Sequence, residues 1–200
     1  MRKNEYSAGM VKLSFWFAEF RKVVELLNAG KTMEEIKRLN QEENIFGAPT
    51  TQRATQIFQS VARRVNSIDQ NMMQLFITSD IGTQKIINLI AIMSVDSLFF
   101  DFVYEVYREK LIFGKECLED SDYRIFFKNK ELQSEKVAAW QDYTLKRLGG
   151  CYKTLLMEAG ITDQSLRDRK ILKPIIDIAL ENYLKDHGME VYIRALTGVK

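Results

Sequence analysis

Helix breakers are scarce in this chain, which holds only 2 prolines and 10 glycines in 200 residues. Their scarcity, beside abundant Leu, Ile, Glu, Lys, Met and Gln, favours long helices over a turn-rich β fold. Cysteine is limited to Cys117 and Cys151, with no CxxC spacing and no Cys/His cluster. That argues against a structural zinc site and a disulfide framework, and for two free thiols in a reducing cytoplasm. The most apolar run, Ile86 to Val95, is followed by Asp96 and Asp101. A membrane span needs about 20 apolar residues, so this stretch reads as a buried helix and no membrane partner is expected. The opening Met1 to Tyr6 is polar, which is unlike a signal peptide.

Histidine is nearly absent. His187 stands alone, beside an expected helix stop, where its charged form suits the helix dipole. A serine or cysteine nucleophile needs a base and an orienting group, and neither a GxSxG turn nor a phosphate loop is present. The carboxylate pairs Glu34–Glu35 and Glu42–Glu43 sit in charged, helix-favouring segments and read as solvated faces. No enzyme activity, cofactor, metal or small-molecule substrate is expected.

Apolar spacing points to an all-α fold with no sustained strand alternation. A first helix is expected over Ser14–Asn28. A second, opened by a Thr32/Glu35 capping box, ends near Asn40 to Asn44. After a Gly47–Pro49 turn, Thr50 or Thr51 caps a third that reaches Asn66. Asp69 and Asp80 are candidate caps for two more, and Asp96 or Ser97 opens a helix reaching Phe113. Ser121 opens a short one, and a longer helix covers Asp142 to Ala159. Leu166 to Lys173 reads as a connection, with Pro174 in the first turn of a helix running to His187. Gly149–Gly150 interrupts the long helix, as a close approach, a kink or a ligand contact. The whole of 1–200 reads as one compact globular domain, with a weak seam near Ile68 behind a helix-turn-helix-like N-terminal unit.

The net charge of +2 is too small to imply a polyanionic partner, so the distribution of charge matters more. From Ile45 to Ile68 there is no acidic residue, while Arg53, Arg63 and Arg64 lie there with Thr50, Thr51, Gln52, Gln56, Gln59 and Asn66. Arginine, glutamine and asparagine pair with base edges, and threonine bonds phosphates. Helix-turn-helix proteins read DNA with the start of their second helix, where Thr50, Thr51, Gln52, Arg53 and Gln56 would fall. A second basic set follows at Lys146, Arg147 and Lys153, continued by Arg167, Arg169, Lys170 and Lys173. Either set is equally readable as a solvated surface.

Tyr6-Ser7-Ala8-Gly9, Phe15-Trp16 and Glu19-Phe20 resemble the opening of the BrxA family of BREX phage-defence proteins. Phe102-Val103-Tyr104-Glu105-Val106, Arg108-Glu109-Lys110-Leu111, Trp140, Glu158-Ala159-Gly160 and Tyr192-Ile193-Arg194-Ala195-Leu196 extend the likeness in order. The resemblance implies a compact helical fold related in shape to the NusB family. It also implies double-stranded DNA binding within a BREX system that includes a methyltransferase and large ATPases. It brings no catalytic motif. A non-catalytic DNA-binding accessory protein is therefore expected. The alternative is an adaptor for other BREX proteins, using aromatics such as Phe15, Trp16, Phe17, Phe99, Phe100, Phe126, Phe127 and Tyr192. Most of these should nevertheless be core, because exposed apolar patches are costly.

Overall fold

A computed structural model describes residues 5–199, so the first four residues of the polar opening lie outside it. The chain forms two compact units, one of residues 15–95 and one joining 5–14 to 96–199. The divisions fall after residues 14 and 95, and Ile68 lies inside the first unit. Among the described residues the structure is all-α, as the composition indicated, apart from one very small strand pair and an isolated Thr162–Ile171 bridge.

The 15–95 unit holds α1 (Phe17–Asn28), α2 (Met33–Glu43), α3 (Thr51–Val65), α4 (Gln70–Thr78) and α5 (Ile81–Val95). The expected caps form: Thr32 and Glu35 close a capping box, Thr50 accepts from Arg53 N–H, and Asp69 accepts from Met72 N–H. Asp80 accepts from Thr83 N–H at the head of α5. Each cap satisfies an amide that the helix itself leaves unpaired. Phe20, Val23 and Val24 of α1 are buried, and α1 packs on α3. The central residues of α5, from Ile86 to Met93, are buried on every side, as a helix apolar all round must be. Among the described residues no single helix is long and apolar enough to cross a membrane.

α1 begins at Phe17 rather than near Ser14. Trp16 takes a left-handed backbone (φ 46°), which a helix cannot contain. Such a conformation in a bulky residue persists only when its surroundings hold it.

In the second unit a 3-10 turn, Ala8–Lys12, is capped by Ser7. Then come α6 (Ser97–Phe102), capped by Asp96, and α7 (Arg108–Ile112). Between them the expected continuous helix widens into a π segment, Val103–Tyr107, where Arg108 N–H donates to the Val103 carbonyl. β1 (Cys117–Leu118) pairs antiparallel with β2 (Arg169–Lys170), Cys117 opposite Lys170. α8 (Asp120–Gln133), α9 (Glu135–Ala138), α10 (Asp142–Glu158), α11 (Ile178–Asp186) and α12 (Glu190–Thr197) complete the unit. α8 outruns the short helix expected from Ser121. A Glu119/Asp122 capping box sets its start. Pro174 is not in a first helical turn: Asp177 caps α11, and Pro174 lies in the irregular stretch before it.

Aromatic rings fill this unit's core. Phe102 lies 4.7 Å from Tyr123, 5.2 Å from Phe126 and 5.4 Å from Tyr152, centroid to centroid. Beside them Lys130, only 2% exposed, bonds Glu105 at 2.7 Å and Asp101 at 2.9 Å. Tyr6 O–H also donates to Asp101. Burial pulls the Lys130 pKa down, but the bonds to Glu105 and Asp101 outweigh it and hold the ammonium above its ordinary range.

Removing the cation should strand a buried carboxylate. Lys130→Ala should cost about 3–5 kcal/mol by urea unfolding, and a loss under about 1 kcal/mol contradicts the account. Burial also raises the Tyr192 phenol to about 12 and raises Tyr107 and Tyr152. For a group raised in the folded state, the stability is complete below its ordinary value of 10.0 and is lost as pH climbs through the raised one. Stability should therefore fall steeply above about pH 10, with the phenolate absorbance of these buried rings appearing at unfolding rather than before it.

Candidate nucleic-acid interface

α3 is tied down from behind. Buried Asn40 of α2 donates to the Ala54 carbonyl at 3.0 Å. The Asn44–Thr50 connection is closed by reciprocal bonds between Asn44 and Ala48, at 2.8 and 2.9 Å. It is longer than the roughly 3–4-residue turn of a helix-turn-helix. Ala54, Ile57, Phe58, Val61, Ala62 and Val65 form the buried stripe of α3.

The opposite face carries most of the expected residues. Thr50, Thr51 and Gln52 are exposed at the helix start, Gln56 is half-buried, and Gln59, Arg63 and Asn66 are exposed. Positions 52, 56, 59, 63 and 66 alternate steps of four and three, so they lie along one stripe. The Arg53 guanidinium sits over the Trp16 ring, 5.0 Å from its centroid, and donates to Gln56 Oε1 at 2.7 Å. Arg63 donates to the Val95 carbonyl at 2.9 Å, at the C-terminal end of α5, where a cation is favoured.

Arg64 corrects the sequence reading. It is 1% exposed, and its Nη1 donates to the Phe15 carbonyl at 2.6 Å. Asn88 of α5 donates to the same carbonyl at 3.0 Å, and the Arg64 guanidinium lies 5.6 Å from the Trp16 ring centroid. Arg64 therefore holds the strained entry to α1 and offers no surface to a ligand.

The second basic set lies in the other unit, where Lys146, Arg167, Lys170 and Lys173 are exposed and Lys153, Arg147 and Arg169 are committed to neighbours. Lys153 pairs with Asp120 and lies over the Tyr123 ring. Arg147 donates to the Val11 carbonyl at 3.1 Å, and half-buried Arg169 donates to the carbonyls of Lys153 and Asp163. Lys146 is exposed and lines a groove of about 560 Å³ between α8 and α10. The groove also holds Arg124 and Lys128 of α8, which the sequence reading passed over. A signal was there: Tyr123-Arg124 and Phe127-Lys128 repeat an aromatic–cation pair one helical turn apart.

His187 is exposed at the end of α11, stacked on Tyr183 with its Nδ1 2.8 Å from the Tyr183 carbonyl oxygen. Among the described residues no group of His, Cys, Asp and Glu is arranged to hold a metal. Both thiols are free, and burial raises the Cys151 pKa, which lowers its reactivity. Most aromatics offered to a partner are core: Phe15, Trp16, Phe99, Phe126, Phe127 and Tyr192 are buried. The exposed apolar residues are others, among them Phe113, Leu132, Tyr143, Leu166, Ile175 and Ile178.

Residues 4–188 match the family model described as BrxA. The chain is 36% identical over 198 residues to the BREX protein BrxA of Bacillus cereus (strain H3081.97), covering 99% of each. A solved structure, an uncharacterized protein from Magnetospirillum magneticum, superposes with a TM-score of 0.81 at 19% identity. That match covers 98% of this chain and 100% of the other, and it speaks to the fold alone.

Arg63 and Arg64, adjacent in sequence, should behave oppositely. Arg64→Ala should cost about 2–3 kcal/mol in urea unfolding, because a buried charge-assisted bond and its packing are lost. Arg63→Ala should cost no more than about 1 kcal/mol. Equal losses would contradict the burial described.

Proposed function

The chain belongs to the BrxA family, and from that premise we propose that it is a non-catalytic, double-stranded-DNA-binding component of a BREX phage-defence system, acting in the cytoplasm. The observation that carries the reading is the acid-free stripe along α3 and its C-cap, with Gln52, Gln59, Arg63 and Asn66 exposed and Gln56 half-buried, beside the exposed Thr50 and Thr51. The amide side chains can pair with base edges, and the helix start favours a phosphate. Arg53 is held by Trp16 and Gln56, which supports a pre-set guanidinium at little further entropy cost. With few cations on the stripe, binding should be moderate and mostly electrostatic.

Fluorescence anisotropy with a labelled duplex tests this. Affinity should fall more than about tenfold between roughly 50 and 200 mM salt. The triple variant Gln52→Ala, Gln56→Ala, Arg63→Ala, with an unchanged circular-dichroism spectrum, should lose most of the binding. Its salt slope should drop by about 1 for a lost phosphate contact. An affinity indifferent to salt, or a triple variant that binds like wild type, contradicts the proposal.

An adaptor role is the second reading, favoured by one observation. Ile175 is 95% exposed, with Leu166, Leu172 and Ile178 also exposed around it in sequence. Large apolar side chains gathered at a surface mark protein contacts. Ile175→Asp with Ile178→Asp should abolish co-purification of other BREX proteins from cells expressing the system. Unchanged recovery would remove this reading.

A further inference from the structure

Gly150 lies well inside α10, where glycine weakens a helix relative to alanine. The fold does not require it there. Its φ is not positive, and a Cβ built on it meets no atom within 4 Å. Its neighbour Gly149 is different: a Cβ there would touch Phe127 at 3.6 Å and Tyr123 at 3.7 Å, so it is part of the helix packing. Gly150 is exposed and lines the groove of about 560 Å³ between α8 and α10.

The charges of this groove are ordered along its length. The Asp120–Lys153 ion pair and the Gly149 contact with Tyr123 and Phe127 run the two helices antiparallel. The Asp120–Lys153 end is thereby neutralised, and Glu131 and Asp142 belong to the other end. Between them fall Arg124, Lys128 and Lys146, with Gly150 one turn after Lys146 on the same helix. Lys128 has a partner in Glu131 at 3.4 Å, but its side chain is 72% exposed, so that pair is weak. The groove thus has cationic walls, an apolar floor that includes Tyr123, Phe127 and Leu145, and a missing side chain at the level of its cations.

We propose that this groove is a second nucleic-acid contact, in which Arg124, Lys128 and Lys146 take the phosphodiester backbone of one strand over the bare helix surface at Gly150. The assignment rests on the nucleic-acid reading above but uses a different surface, in a different unit, from α3. It accounts for a destabilising glycine that packing leaves unexplained. Phosphate contacts of this kind position a strand without reading its sequence.

The test is anisotropy of a labelled duplex and a labelled oligo-dT strand against wild type, Gly150→Leu, Lys146→Glu, and the α3 triple variant. Gly150→Leu fills the groove and Lys146→Glu reverses a wall charge. Each should weaken binding of at least one probe by roughly tenfold or more, as expected for lost phosphate contacts. Gly150→Ala keeps the fold in view, because it should raise the melting temperature by about 2–4 °C. If Gly150→Leu and Lys146→Glu bind within about twofold of wild type, the groove is not a contact, and loss in the α3 variant alone leaves the α3 reading standing. If those two lose binding while the α3 variant does not, the groove stands and the α3 face falls. A wild type that binds neither probe overturns the groove and the α3 face together.

Discussion

One carbonyl fixes the 15–95 unit. Phe15 C=O accepts from the buried Arg64 of α3 and from Asn88 of α5, just before Trp16 turns through a left-handed conformation into α1. A buried guanidinium is tolerated only where its donors are satisfied, so α3 can sit against α1 and α5 in few ways. That constraint sets the rotation of α3. With Arg64 inward, Arg63 is swung about 100° around the helix and reaches the surface, and the amide side chains of the stripe follow it. The outward face of α3 is therefore a consequence of its inward one.

The second unit repeats the principle with a different cation. Lys130 is buried against Asp101 and Glu105, with Tyr6 on Asp101, while the π segment places Glu105 within reach. Tyr6 and Glu105 come from two separate stretches that carry the BrxA likeness, and both reach Lys130 in this network. Tyr192, from the closing stretch, packs on Phe100 at 5.8 Å. Those stretches thus build the core of the second unit. The faces proposed to bind lie elsewhere, on α3 and between α8 and α10.

Legibility in the sequence followed the range of the interaction. Caps act over three residues, so Thr32 and Asp69 could be placed from spacing, and Thr50 and Asp96 to within one residue. The acid-free stretch and its stripe on α3 were visible for the same reason. Arg64 was misread because its partner carbonyl is 49 positions away, and nothing local separates it from Arg63. The strand pair joins Cys117 to Lys170, and two-residue strands are too short to show an alternation. The groove escaped because its cations come from two helices, and the earlier basic set credited Lys153 and Arg147, whose charges are already committed to Asp120 and to the Val11 carbonyl. The aromatics were legible on general grounds: exposed apolar patches are costly, so most were expected in the core, and Phe15, Trp16, Phe99, Phe126, Phe127 and Tyr192 are buried.

Hydrogen–deuterium exchange of the full chain, with and without saturating duplex at low salt, tests the central claim most directly. The account expects added protection in the first turns of α3 around Thr51 to Gln56, with the buried amides of α5 unchanged. Exchange in α3 that is the same with and without DNA, while the duplex is bound, would contradict it.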